Sequence, residues 1–368
     1  MATLEDIGKK TGCSAATISR ILNNSAPVSD ELRDAVMKEI KRSGYIPKPR
    51  KRRSVEKDVQ SDTVEVIMSW KDHDSRLEEG RDNELELSPE DLSEERSRKD
   101  SFKIGYGFFR HIVDGMIEEL TAMEMKAALR VANDLSSPRL LADINRKSNR
   151  GVLLLGAYSP HLRDFINACS QPLVLVDLMA DSWPDVVTID NYGGIRQAFN
   201  HLRELGHHDI GFISYDTNPA YRERETAFRA CMVSAGLPVR QDWIFEGAVD
   251  IDRTADGVEA ILKRSERPSV FLCACDYAAL GVIRAAGRCG VSVPGELSVM
   301  GFDDSDPASM VTPALSTIHV PTAQLGRQAV RQLLMCERSN GRYRQDRGCE
   351  IRVRTDLVVR QSTGPVKR

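Results

Sequence analysis

With 368 residues, 41% of them apolar and 29% charged, the chain exceeds one typical domain and has enough apolar side chains for sizeable cores. No apolar run reaches the roughly 18–20 residues that a membrane span needs, and the opening MATLEDIGKKTG is charged where a secretory leader is apolar, so a cytoplasmic chain with no membrane partner is expected. The net charge of −3 hides an uneven distribution: Lys41–Arg53 holds seven basic residues and no acidic one, whereas 71–100 holds twelve acidic and six basic, and the basic run points to a polyanionic partner.

The first 46 residues read as three short helices. Leu4, Ile7 and Gly8 followed by Gly12 predict a helix ended by glycine. Ser14 is a suitable N-cap for a second helix, whose apolar positions Ile18, Ile21 and Leu22 recur at helical spacing. Ser29 caps a third, with Leu32, Val36 and Ile40 on its apolar side and a stop before Gly44. Two short helices joined by a tight turn make a helix-turn-helix, with the second helix free to enter a major groove. Ser14, Thr17 and Ser19 are short donors suited to phosphates, and Arg20 can fork onto guanine or phosphate. Ala15 and Ala16 can offer only apolar contacts, for example to a thymine methyl.

Residues 48–61, with Pro49 and the cations Arg50, Lys51, Arg52 and Arg53, read as a basic linker. Thr63–Trp70 is a strand, and the acidic stretch 71–101, poor in aromatics, is a surface insertion. Beyond it, strand candidates 152–155, 173–176, 210–213, 270–273 and 297–300 alternate with helical stretches 112–120, 194–205, 222–235 and 278–289. That alternation predicts an α/β fold of two parallel-sheet lobes over 62–360, with a ligand cleft at the carboxyl ends of the strands and a frayed tail over 361–368. The eight cysteines lack a repeating or metal-binding spacing and read as reduced thiols. No nucleophile elbow, phosphate loop or metal-ligand pair is present, so neither catalysis nor a cofactor or metal is expected.

The run Thr3-Leu-Glu-Asp-Ile-Gly-Lys-Lys-Thr-Gly-Cys-Ser-Ala-Ala-Thr-Ile-Ser-Arg-Ile-Leu-Asn23, continued in register by Val28-Ser29 and Gly44-Tyr45-Ile46-Pro47, resembles the headpiece of LacI/GalR-family regulators. Further blocks match in order: Tyr106-Gly-Phe-Phe109 with Val113-Asp-Gly115, Val187-Thr-Ile-Asp-Asn-Tyr-Gly-Gly194, Ala274–Gly281, Val299-Met-Gly-Phe-Asp-Asp304 and Pro313-Ala-Leu-Ser-Thr-Ile318. The resemblance implies a helix-turn-helix headpiece over 1–47 followed by a periplasmic-binding-protein-like core. It implies a repressor that binds a pseudo-palindromic operator in double-stranded DNA as a homodimer, controlled by a small polar effector, a sugar, between the lobes. The alternative is a sugar sensor whose headpiece holds DNA largely without sequence preference.

On the same basis Thr3, Ser14, Ala15, Ala16, Thr17, Ser19, Arg20, Asn23 and Tyr45 are expected at DNA, with Arg50, Arg52, Arg53, Ser54 and Val55 of the linker. Arg224 and Asp303 fall on effector-binding positions, Asp177 on a cleft carboxylate, and Phe108 and Phe109 on an aromatic wall. Three departures stand out. Cys275 replaces the amide that many relatives place against sugar hydroxyls, and a thiol is a poor hydrogen-bond partner. Ser54 stands near the position of the leucine that wedges into the minor groove, which predicts more electrostatic binding and less bending. The acidic insertion directly follows the first strand of the core.

Overall fold

The computed structural model describes residues 4–14, 17, 18, 21, 30–43, 62–69, 107–132, 134–156, 159–179, 184–214, 219–247, 251–338 and 348–367. The chain divides into two compact units, 1–59 and 60–368. The linker and the acidic insertion lie outside the described residues.

In the first unit, helix Leu4–Thr11 and helix Asp30–Ser43 pack around Ile7, Ile18, Ile21, Val36 and Ile40, all buried. Gly8 is required where helix and turn meet, because a Cβ there would lie 2.5 Å from the Cys13 carbonyl oxygen. Gly12, at φ +69°, supplies the left-handed residue that ends the first helix. The chain then turns back, with the Cys13 amide donating to Gly8 O at 3.1 Å.

The second unit holds two parallel sheets. The larger has strand order β11-β5-β4-β3-β1-β2, from β1 (Thr63–Ser69), β2 (Lys126–Ala132), β3 (Asn149–Gly156), β4 (Leu173–Val176), β5 (Asp185–Ile189) and β11 (Glu350–Val353). Its inner strands are apolar on both faces, as parallel strands covered by helices must be. Val64, Val66, Met68, Leu153 and Leu155 face helix 107–122 and helix Thr322–Arg338. Ile67, Val152, Leu154 and Leu175 face helices Pro138–Ile144 and Leu162–Ala168 on the other side. The two helices of the first face approach backbone to backbone: a Cβ on Gly115 would meet Ala323 O at 2.1 Å, and one on Gly326 would meet Ile112 O at 2.0 Å.

The smaller sheet runs β7-β6-β8-β9, from β6 (Ile210–Ser214), β7 (Ile244–Glu246), β8 (Val270–Cys273) and β9 (Ser298–Met300). Helices Asn191–Glu204 and Pro219–Ser234 cover one face, and Ile251–Leu262 and Asp276–Arg288 cover the other. The chain passes between the lobes three times: from β5 into helix Asn191–Glu204, from β10 (Thr317–His319) into helix Thr322–Arg338, and from β11 into β12 (Asp356–Val358), which pairs antiparallel with β10. Among the described residues no helix is long and apolar enough to cross a membrane. None of the eight cysteines forms a disulfide.

Two expectations change. Strands β2, β5, β7, β10, β11 and β12 add to those anticipated from apolar runs. The segment 361–367 is not a frayed tail. The amide of Val299 donates to Ser362 O at 2.8 Å, and Ser362 Oγ donates back to Val299 O at 2.6 Å. Gly364 N donates to Ser298 Oγ at 3.1 Å and Val366 N to Leu205 O at 3.1 Å. β9 is an edge strand with backbone groups to satisfy, and short polar residues of the tail complete them.

Candidate functional site

In the headpiece the described residues fix the start of the second helix. Thr17 N donates to Ser14 Oγ at 3.1 Å, and the two hydroxyls lie 2.8 Å apart, so Ser14 is the N-cap the sequence implied. Residues 17, 18 and 21 are helical, with Ile18 and Ile21 turned into the core. Thr17 is only partly buried and lies one helical turn before Ile21. Thr3, Ala15, Ala16, Ser19, Arg20, Asn23, Tyr45, Arg50, Arg52, Arg53, Ser54 and Val55 lie outside the described residues.

In the core, the stretches that follow β4, β5, β8 and β9, and helix Pro219–Ser234 after β6, deliver the polar residues of the site. Arg224 projects from helix Pro219–Ser234 and is 2% exposed, a rare burial for a guanidinium that requires partners. Its Nε donates to Asn191 Oδ1 at 2.8 Å, and its Nη1 donates to Ala274 O at 2.6 Å and to Asp303 Oδ1 at 2.8 Å. The guanidinium carbon lies 3.7 Å from the Phe302 ring centroid and 5.4 Å from that of Tyr221, a cation–π arrangement. Four segments therefore meet at one side chain: helix Pro219–Ser234, the start of helix Asn191–Glu204, and the stretches after β8 and β9.

Asp303 sits after β9 with φ +108°, and Asp304 follows at φ +56°. Burial pushes the Asp303 carboxyl above its ordinary range, while the Arg224 charge and hydrogen bond oppose that shift. Asp304 anchors the turn, accepting from Arg360 Nη2 at 2.6 Å and lying 2.9 Å from His319 Nδ1. Behind it, the buried Asp276 accepts from Ser305 N at 2.6 Å, Ser305 Oγ at 3.0 Å and Thr317 Oγ1 at 2.5 Å. Burial nevertheless raises its carboxyl to about 7, with Asp303 adding to the effect.

Asp177 follows β4 at φ +54°. Its Oδ1 is shielded from solvent and has no hydrogen-bond partner. Burial raises this carboxyl to about 7; Arg224 opposes the rise, and Asp303 and Glu223 add to it. Cys275, buried, is the N-cap residue of helix Asp276–Arg288 but makes no side-chain cap, and burial lifts its thiol to about 12, so it stays an S–H. Phe108 and Phe109 open helix 107–122 edge to face, with ring centroids 5.6 Å apart. Phe109 is buried in the apolar cluster of the larger sheet, and Phe108 packs half-buried at its margin.

The structure thus joins Arg224 directly to Asp303 and sets Asp177 and Cys275 within reach of their charges. Sequence reasoning missed Asn191, which bridges Arg224 and Glu223 by accepting from one and donating to the other at 2.9 Å. It also missed Phe302 beneath the guanidinium and the Ala274 carbonyl. Asn191 and Phe302 stand inside blocks already quoted for their pattern, while a backbone carbonyl leaves no trace in side-chain identity. Chemically, carboxylates can accept from the hydroxyls of a small polar molecule, and a guanidinium can donate to them.

Residues 3–48 match the model of bacterial regulatory proteins of the lacI family, and 199–363 match that of a periplasmic binding protein-like domain. The chain is 27% identical to an HTH-type transcriptional repressor PurR of Actinobacillus pleuropneumoniae, with 98% of each chain covered. It is 26% identical to one of Haemophilus influenzae, again over 98% of both. Among solved structures, a complex of the transcriptional regulator CelR with cellobiose superposes with TM-score 0.65 at 25% identity, covering 98% of this chain and all of that one. The lac repressor dimer bound to operator and the anti-inducer ONPF superposes with TM-score 0.65 at 20% identity, over 99% of each chain.

Proposed function

We propose that the chain, which carries a lacI-family headpiece over 3–48 and a periplasmic binding protein-like domain within 199–363, is a LacI-family DNA-binding transcriptional repressor and no enzyme, that it binds a pseudo-palindromic operator as a cytoplasmic homodimer, and that it answers to a small polar effector, a sugar, held in the cleft of the core. The observation that carries this reading is the buried Arg224–Asp303 pair, which ties helix Pro219–Ser234 to the loop after β9 beside the crossing at Asn191. A ligand that bonds to these groups acts on the crossings themselves, and so on the strand of chain that leads back to the larger sheet. Ligand and operator then bias the same two-state core, each changing the affinity of the other by the same factor.

Dimerisation is supported by an apolar surface at the edge of the larger sheet. Leu129 and Val131 on β2 and Ile117 and Met123 nearby are 39–55% exposed. In register, Leu129 pairs with Val66 and Val131 with Met68, so they extend the face that helix 107–122 covers over β1. Ser14 and Thr17 at the start of the second headpiece helix support phosphate contact, with Arg20 and the linker cations Arg50, Arg52 and Arg53 as the remaining DNA-binding candidates.

The test is selection of bound duplexes from a random pool at near-physiological salt, with sedimentation of the winning complex. Recovery of a palindrome bound by two chains is the expected result. Sequence-independent binding that falls steeply with salt would instead make the headpiece a general DNA anchor and remove the operator from this reading. Addition of cellobiose or related sugars is expected to shift operator affinity; indifference to every sugar tried would remove the sugar.

A further inference from the structure

Asp177 is the one cleft carboxylate among the described residues with a shielded oxygen that no protein donor reaches. Its amide donates to Val187 O at 3.0 Å, which pins its backbone between β4 and β5, and φ +54° holds it in the left-handed region. Among the described residues, the charged groups that act on it are Arg224 and Glu223, from helix Pro219–Ser234, and Asp303, from the loop after β9. Arg224 commits Nε and Nη1 to Asn191, Ala274 and Asp303. Glu223 is taken up by Asn191 Nδ2 and by Arg352 Nη1 at 2.7 Å. Cys275, which interacts with the same Arg224 and Asp303, offers only a weak thiol donor.

We propose that Asp177 selects the effector by charge: the cleft takes a ligand that bears no negative charge and donates a hydrogen bond to the Asp177 carboxylate, and it discriminates against anionic forms of the same ligand. This rests on the cleft being the effector site. The missing donor is to come from the ligand, because a buried acceptor without a partner is costly and no donor of the protein reaches this oxygen. An added anion would meet two carboxylates, Asp177 and Asp303, against a guanidinium already neutralised by one of them. A neutral polyol or an amino sugar meets both demands, whereas a sugar phosphate or a uronic acid meets neither.

Two measurements on the full chain test it. The first needs no ligand: wild type and Asp177→Asn are melted between pH 5 and pH 8, with Asp177→Ser as a second variant in case the amide itself disturbs the fold. A carboxyl held protonated above its unfolded value loses stability for the fold as pH rises towards about 7, and holds level above that. The Asn variant lacks this loss, so its melting temperature relative to wild type is expected to rise by about 2–4 °C or more between pH 5 and pH 8. A difference that ignores pH in both variants overturns the proposal.

The second measurement is titration calorimetry with glucose, cellobiose, glucosamine, glucose 6-phosphate and glucuronate. The anionic pair is expected to bind at least about tenfold more weakly than the matched neutral or amino sugar, a margin that Asp177→Asn narrows. Anionic sugars binding as tightly as neutral ones overturn the proposal. If none of the five binds while the pH-dependent difference is present, the sugar reading falls and the need for a donor at Asp177 stands; if both are absent, both fall.

Discussion

Arg224 and Arg288 both pair with aspartates in the same lobe, one with its side chain 2% exposed and the other 40%. Arg288 reaches from helix Asp276–Arg288 to Asp256 at 2.6 Å and Asp252 at 3.2 Å, and Arg284 joins the same Asp252 at 2.5 Å. On paper this surface ladder has more ion pairs than the cleft. Its members stand in water, where attraction is screened and ordering long side chains offsets the gain. The Arg224 cluster is shorter but sits where losing any partner leaves a charge stranded. Counting pairs therefore misplaces the importance; burial decides it.

Removing Arg224 should have the largest effect. Arg224→Ala strands Asp303 and removes the cation above Phe302, and should cost about 3–5 kcal/mol in urea denaturation; a cost below about 1 kcal/mol would break the contrast. Next comes Asp276→Asn, which weakens three hydrogen bonds and starts less stable than wild type. The native carboxyl is raised to about 7, so wild type loses this group's contribution to stability as pH climbs from 5 to 7, a loss the variant lacks. The variant's deficit should narrow by up to about 3 kcal/mol between pH 5 and pH 8, and a deficit constant with pH would show that burial does not hold the proton there.

Ser14→Ala sharpens the comparison from the other side. Ser14 is exposed, but its oxygen fills a fixed role at the helix start, so its loss should cost the headpiece about 1 kcal/mol, read by the melting of headpiece helicity and by weaker duplex binding. Arg288→Ala should come last, with no resolvable shift in the denaturation midpoint at low or high salt. A clear destabilisation that salt removes would mean that the surface ladder matters after all.

The sequence made the central strands legible because each is a short apolar run: β1, β3, β4, β6, β8 and β9 all fall on anticipated stretches. Apart from β5, a buried five-residue strand, the strands it hid are of two kinds. β2, with exposed Lys126, Ala127, Leu129 and Val131, is an edge strand without the inward run of its neighbours. β7, β10, β11 and β12 are three or four residues long, and their pairing is settled by distant partners, as β11 on β5 shows. In the site, Arg224 and Asp303 were legible by resemblance and Asn191 was not, because its value comes from standing between two side chains that meet only in the folded chain. The tail misled for a similar reason: Ser362 and Gly364 look like loose polar residues until β9 lies beside them.

The three passages between the lobes have a mechanical consequence. Two bodies on one tether can slide, swing and spin with little mutual constraint. With three short tethers, after β5, after β10 and after β11, sliding is blocked and what remains is a tilt in which slack at one passage is taken up at another. The helices interlocked at Gly115 and Gly326 stiffen the larger sheet against absorbing that tilt by bending. A fraction of an ångström of closure at Arg224 would then be carried as rotation of a whole rigid face, a lever whose gain is set by geometry rather than by the strength of the ligand's grip.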